Sequence, residues 1–311
     1  MILVIGAEEE YHAKHVYDLL KSKGEDVEYF DTRIFPEDMP LSWFSSDTGI
    51  KGYLKINNNK INLQDIKSVY WRWHYGINKK PENNDEDSIY KARILTREID
   101  SAIDSLFESM DCLWVNSLAA IEMHRRKSYQ LHTMAQNNIR VPKTLISNDK
   151  DELVSFYEEN NGQLIYKPVR GGTFTEKVKP EDISKERLDS LLDCPVQFQE
   201  FIDGVDVRVY VIGKEIFAAE IQAKTIDFRA DDESKIVRVE LPENIKNDCF
   251  KIMKLLKLNF SGIDIRHGKS GEYVFIEANP APMFTYFEEH SDYPISECLT
   301  EMLIRPQHNL R

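Results

Sequence analysis

Near the C-terminus, two short runs, GIDIRH at 262–267 and EYVFIEANP at 272–280, flank the connector GKSG. Apolar and polar residues alternate in both runs, the period of a half-buried strand, and the connector fits a hairpin turn of two or four residues. Such a turn sets Asp264 opposite Phe275, with Glu277 diagonal to Asp264 and Asn279 on the same face. Diagonal neighbours lie roughly 7 to 8 Å apart between backbones, close enough for two inward-reaching carboxylates to share one ion. The other face carries Ile263, Ile265, Val274 and Ile276, an apolar set suited to burial against a helix. That burial fixes the register, since a slip of one residue would turn every carboxylate to the wrong side.

Two carboxylates and one amide oxygen suit magnesium, which takes hard oxygen ligands and completes its shell with water and nucleotide phosphates. Zinc would call for nitrogen or sulfur. A solvated strand face is the alternative reading of the same pattern, and a turn of odd length would reverse the parity.

Upstream, LIYKPVRGGT is an apolar strand that delivers Lys167 and then runs into Gly171 and Gly172. Glycines let backbone fold closely over phosphates, and a strand-borne lysine neutralises them. Next, VQFQEFIDGVDVR alternates Asp206 and Arg208 onto one face of a strand. Trp71 and Trp73 fall on one side of YWRWHYG, the usual place of core residues, and Arg72 and His74 on the other, which turns Arg72 toward the cleft.

The chain of 311 residues is long enough for two or three small domains with a cleft between them. MILVI reads as a buried strand, followed by a helix to about Lys23, a stop at Gly24 and the strand VEYF at 27–30. GAEEE lacks the GxGxxG spacing, so no dinucleotide is placed there. Apolar residues at three- and four-residue steps from Ser88 to Met110 mark one long amphipathic helix. A second helix follows RRK at 125–127, and a third region beginning near Leu191 is mainly strand, with PVQFQEFI at its head and a helix around 247–256. The division is 1–118, 119–190 and 191–311, three small α/β units around a cleft.

Four scattered cysteines without a CxxC pair argue against a zinc knuckle and against a disulfide framework. A net charge of −13 disfavours nucleic acid and anionic membrane, whose phosphates need clustered Lys and Arg. Hydrophobic residues at 41% support a packed globular chain, and no apolar window of spanning length or signal-peptide pattern occurs, which points to the cytoplasm.

The ordered set of Lys127, Lys167 with its Gly-rich loop, QEFI, Asp206 with Arg208, then Asp264, Glu277 and Asn279 resembles the ATP-grasp ligases over residues 115–303. The resemblance implies an α/β (α+β) ATP-grasp fold with ATP and Mg2+ as cofactors. By position, Lys127 and Lys167 contact phosphate and the adenine side, and Gln199, Glu200, Phe201 and Ile202 form the hinge along the adenine. Asp206 takes the ribose, Arg208 clamps the γ-phosphate and acyl phosphate, and Asp264, Glu277 and Asn279 bind the metal. Within that superfamily, YFDTRIFP, YWRWHYG and IDFR look like the microviridin-type maturases, which make graspetides by crosslinking a ribosomal precursor peptide through esters or amides. Asp227 and Arg229 would then face the substrate peptide, with Arg229 holding the acceptor carboxylate, alongside Arg72. The partner implied is a leader-bearing precursor with an acidic core, and the family often forms homodimers. A ligase that adds free amino acids such as glutamate, and a nucleotide-binding module without turnover, are the rival readings.

Overall fold

The computed structural model describes residues 1–36, 39–47, 49–57, 59–72, 79–124, 126–169, 175–223 and 234–306. The chain opens with β1 (Ile2–Ile5), α1 (Tyr11–Ser22) and β2 (Val27–Phe30). All four β1 residues are buried, as expected of a strand covered on both faces. Glu10 caps α1 by accepting from the Ala13 amide, and Gly24 follows at φ 77°, where a residue with a Cβ would be strained. An antiparallel insertion of β3 (Leu41–Ser46), β4 (Gly49–Ile56) and β5 (Asn59–Asn62) leads to β6 (Ser68–Trp71), α2 (Glu86–Ser109) and β7 (Leu113–Val115). The first sheet runs in the order β2-β1-β6-β7 with every pair parallel. Trp71 lies in its core, edge-on to Phe107 and Trp114; Trp73 and His74 lie outside the described residues.

Next come α3 (Leu118–His124), α4 (Lys127–Gln136), β8 (Thr144–Ser147), α5 (Lys150–Glu159), β9 (Leu164–Lys167), β10 (Glu176–Lys177), α6 (Lys185–Ser190) and β11 (Val196–Glu200). These strands form a second sheet in the order β10-β9-β11-β8. β11, expected at the head of the third unit, instead lies between β8 and β9, antiparallel to both, because its alternate residues supply the partners that close this sheet. The break between the second and third sheets therefore falls at 201–203 rather than at 190.

The third sheet runs β14-β13-β12-β15-β16, from β12 (Gly204–Ile212), β13 (Glu215–Gln222), β14 (Lys235–Arg238), β15 (Phe260–Gly268) and β16 (Tyr273–Asn279), all antiparallel. The helix α7 (Glu243–Leu255) covers one face, and α8 (Thr285–Ser291) and α9 (Ile295–Ile304) follow. No described helix is long and apolar enough to cross a membrane, and the four cysteines are free thiols.

Asn116, fully buried just after β7, ties the first sheet to the hairpin. Its amide donates to the carbonyls of Phe260 (2.7 Å) and Pro280 (2.6 Å), and its Oδ1 accepts from the amides of Asn259 (2.6 Å) and Phe260 (3.1 Å). Its carbonyl accepts from the Trp71 indole. One side chain thus satisfies four backbone groups, three through buried bonds and the Asn259 amide through a partly buried one. Asn116→Ala is expected to leave them unpaired and to lower stability by about 1–3 kcal/mol, read as a drop in the urea midpoint at unchanged slope.

Candidate functional site

The hairpin departs from the expected pairing in two ways. The turn holds three residues, Lys269–Gly271, with the Gly271 amide bonded to the Gly268 carbonyl (2.9 Å) and Gly271 at φ 88°. A type I turn closed by a glycine in the left-handed region is the usual build of a three-residue hairpin. An odd turn reverses parity, so His267 pairs with Tyr273 and Ile265 with Phe275. A register shift between Asp264 and Ile265 then leaves Ile276 unpaired and restores the parity, so that Asp264 stands directly opposite Glu277 and Gly262 opposite Asn279. Phe275, expected beside Asp264, is buried in the core with Ile263 and Ile265, while Ile276, expected in the core, lines the cleft.

Along the third sheet, Arg208, Asp264 and Glu277 form one cross-strand row, since Arg208 pairs with Asp264 and Asp264 with Glu277. Arg208 Nε stands 2.7 Å from Asp264 Oδ1, and Lys127 Nζ, at the first residue of α4, donates to Glu277 Oε2 at 2.6 Å. The row reads plus, minus, minus, plus. Burial pushes the Asp264 carboxyl up to about 6; the Arg208 charge opposes that rise and the Glu277 charge adds to it. Burial also works to raise Glu277, but the charge and hydrogen bond of Lys127, with the charge of Lys167, hold it below its ordinary value. Space for the Arg208 guanidinium comes from Gly262, where a Cβ would lie 3.0 Å from Nη1 and 2.8 Å from the Pro282 Cβ.

Helices α3 and α4 dock on the free edge of β16 through hydrogen bonds. The Gln130 amide donates to the Ala278 carbonyl and accepts from the Ala278 amide, both at 3.1 Å, and His124 Nδ1 lies 3.0 Å from the same carbonyl. Gln130 therefore stands in for a neighbouring strand, covering an edge that would otherwise be open. One rung earlier on the same face as Arg208, Asp206 pairs with Arg266 (2.8 Å), whose Nε also donates to the Ile202 carbonyl (3.0 Å).

A cavity of about 590 Å³ opens between the second and third sheets. It brings together Lys127, Lys167, Gln199, Glu200, Phe201, Ile202, Asp206, Arg208, Asp264, Glu277 and Asn279, every one a residue singled out from the sequence. Gly171, Gly172, Asp227 and Arg229 lie outside the described residues. Arg72 does not line this cavity among the described residues. It is buried at 5% exposure, with Nε 3.2 Å from Glu10 Oε1. Arg266, Tyr210, Met283 and Tyr286 line the cavity without having been anticipated. Arg266 carried a signal, because it alternates with Asp264 on the same strand face.

The donor set fits a magnesium ion. Two partly buried carboxylates share one ladder position, Asn279 stands one rung on, and two cationic side chains occupy the electrostatic role a metal would take. Among the described residues no group of three or more His, Cys, Asp and Glu side chains could hold a metal without other donors. Such a site leaves coordination positions for phosphate and water, as magnesium prefers.

Residues 124–303 match the RimK-like ATP-grasp domain, and residues 1–122 match the MvdD pre-ATP grasp domain. The structure is similar to that of the ATP-grasp ligase PsnB complexed with minimal precursor, at 30% identity and TM-score 0.83, covering 97% of each chain. It shares its fold with the macrocyclase MdnC of Microcystis aeruginosa bound with precursor peptide MdnA (24% identity, TM-score 0.82, 98% of this chain and 99% of that one). A probable alpha-L-glutamate ligase of Vibrio vulnificus is 25% identical over 216 residues, 65% of this chain and 71% of that protein. With the RimK-like ATP-grasp model matching more than half of it and the pre-ATP grasp model matching the part before, the chain belongs to the ATP-grasp family as an ADP-forming ligase.

Proposed function

We propose that this ligase matures a ribosomally made precursor peptide, activating Asp or Glu side chains as acyl phosphates and joining them to Ser or Thr hydroxyls or to Lys amines. The observation that carries this reading is likeness over the full length, N-terminal domain included, to a ligase held with its precursor.

A substrate carboxylate attacks the γ-phosphorus of ATP, giving an acyl phosphate and ADP, and the acceptor then displaces phosphate. Neither step requires an enzyme nucleophile; positioning and charge neutralisation carry the reaction. Asp264, Glu277 and Asn279 would hold Mg2+, which when bound draws phosphate oxygens together and offsets their charge. Arg208, already fixed by Asp264 and the gap at Gly262, would clamp the transferred phosphoryl group. Lys127 and Lys167 would neutralise phosphate, Gln199 to Ile202 would lie along the adenine, and Asp206, held by Arg266, would meet the ribose. The peptide carboxylate that accepts the phosphoryl group would meet Arg229, with Asp227 beside it, and Gly171 and Gly172 would cover the phosphates. Arg72 would act on the peptide side from behind Glu10.

The similarity to a glutamate ligase favours a second reading, addition of a free amino acid at the same ATP site. Mass separates the two: crosslinking removes one water per bond, whereas amino-acid addition increases mass. Incubation with ATP, Mg2+ and the Asp/Glu- and Ser/Thr/Lys-rich peptide encoded beside the gene is expected to give ADP and a dehydrated peptide. An unchanged mass without ADP would sink the maturase reading.

Asp264→Asn and Glu277→Gln are each expected to slow peptide-dependent ADP formation at least about 100-fold, measured by coupled assay at saturating ATP. Arg229→Ala is expected to abolish crosslinking while nucleotide affinity, measured by calorimetry, stays nearly unchanged.

A further inference from the structure

A second cavity, of about 680 Å³, adjoins the nucleotide cleft, since Met283 and Tyr286 line both. Its far wall is the start of α1, with Glu9, Glu10, Tyr11 and His12, and Thr285 faces them from the start of α8. Both carboxylates are already engaged. Glu9 pairs with Arg33 (2.7 Å), and Glu10 caps the helix and pairs with Arg72. Among the described residues, an ammonium entering this cavity would find both carboxylates already paired and would meet the guanidinium groups that pair them. Exposed Tyr11 and Met283 give the walls apolar and aromatic surface.

His12 is the imidazole of this cavity. It is 4% exposed, with its ring 5.1 Å from Phe284 and Nδ1 3.5 Å from Thr285 Oγ1. Burial, then the charges of Arg72 and His15, lower its pKa to about 4, so the imidazole is neutral at physiological pH. In the tautomer whose Nδ1–H donates to Thr285 Oγ1, Nε2 keeps its lone pair, and it has no hydrogen-bond partner among the described residues.

We propose that this second cavity is the acceptor subsite, that it takes a Ser or Thr side chain in preference to Lys, and that His12 Nε2 receives the attacking hydroxyl's proton. The inference rests on the maturase reading above. The hydroxyl oxygen forms a bond to the acyl carbon, the bond from that carbon to the phosphate oxygen breaks, and the phosphate leaves with the electron pair. The proton passes from His12 to the departing phosphate, so ester and hydrogen phosphate are the products.

Hydroxylamine separates the two half-reactions, because it captures an acyl phosphate without using the acceptor subsite. With the neighbouring precursor carrying a Thr acceptor, His12→Leu is expected to lower dehydrated product about 100-fold while hydroxamate and ADP stay at wild-type levels. His12→Gln, which restores an acceptor atom, is expected to recover part of the product. A twin peptide with Lys in place of the acceptor Thr is expected to be crosslinked at least about tenfold more slowly by the wild type, a difference of about 1.4 kcal/mol. Unchanged product in His12→Leu, or equal crosslinking of both peptides, would overturn the proposal. So would loss of hydroxamate in step with product in both variants, which would mark His12 as a residue of the fold. Neither hydroxamate nor dehydration with the wild type would instead remove the maturase reading, and this inference with it.

Discussion

Two partly buried carboxylates facing each other across one rung of a β-ladder repel, and their partial burial strengthens the repulsion by thinning the water that screens them. Asp264 and Glu277 are tolerated only because Arg208 and Lys127 close the row at either end. The surrounding architecture serves that balance. Lys127 must reach from α4, so α4 must dock on β16, and Gln130 holds it there through the Ala278 backbone. Arg208 must reach along the sheet, so Gly262 must carry no side chain. Asn116 anchors the far end of the same hairpin against the first sheet. A nucleotide and its metal would enter a site whose charges are already arranged in matched pairs.

The cleft also depends on where one sheet hands the chain to the next. β11 closes the second sheet and β12 is central to the third, so residues 201–203 carry the chain directly from one sheet to the other, with Phe201 and Ile202 lining the cavity. Arg266 fastens that link by donating to the Ile202 carbonyl while holding Asp206. Ile202 and Asp206 are thereby positioned by one guanidinium, which couples the second sheet's exit to the third sheet's face along the cavity.

Much of the cleft was legible because its residues sit on strands, where a period of two converts spacing into facing. That rule put Asp264, Glu277 and Asn279 on one side and Asp206 with Arg208 on another. Applied one step further, it reaches Arg266. Other features rest on partners distant in sequence and leave no local trace. Asn116 reads as the end of an apolar run, yet its partners lie more than a hundred residues away. Membership of β11 in the second sheet is settled by pairing with β8 and β9, which a strand's own alternation does not reveal. The insertion β3–β5 alternates weakly, since most of β3 is exposed and little of it is tied to a core. Arg72 is buried and paired with Glu10, a partner distant in sequence, and does not line the cleft among the described residues.

The unpaired residue at Ile276 does more than bend a strand. A three-residue turn and a single bulge each invert facing, and together they cancel, so the face of Asp264 and Glu277 is in phase although the tip of the hairpin is not. The bulge therefore acts as a phase corrector between a tip exposed to solvent and a site locked by β12. Tip length can drift by one residue through the gain or loss of that bulge, with Asp264 and Glu277 still meeting. The chemistry at the base of the hairpin is insulated from the part of the hairpin most free to vary.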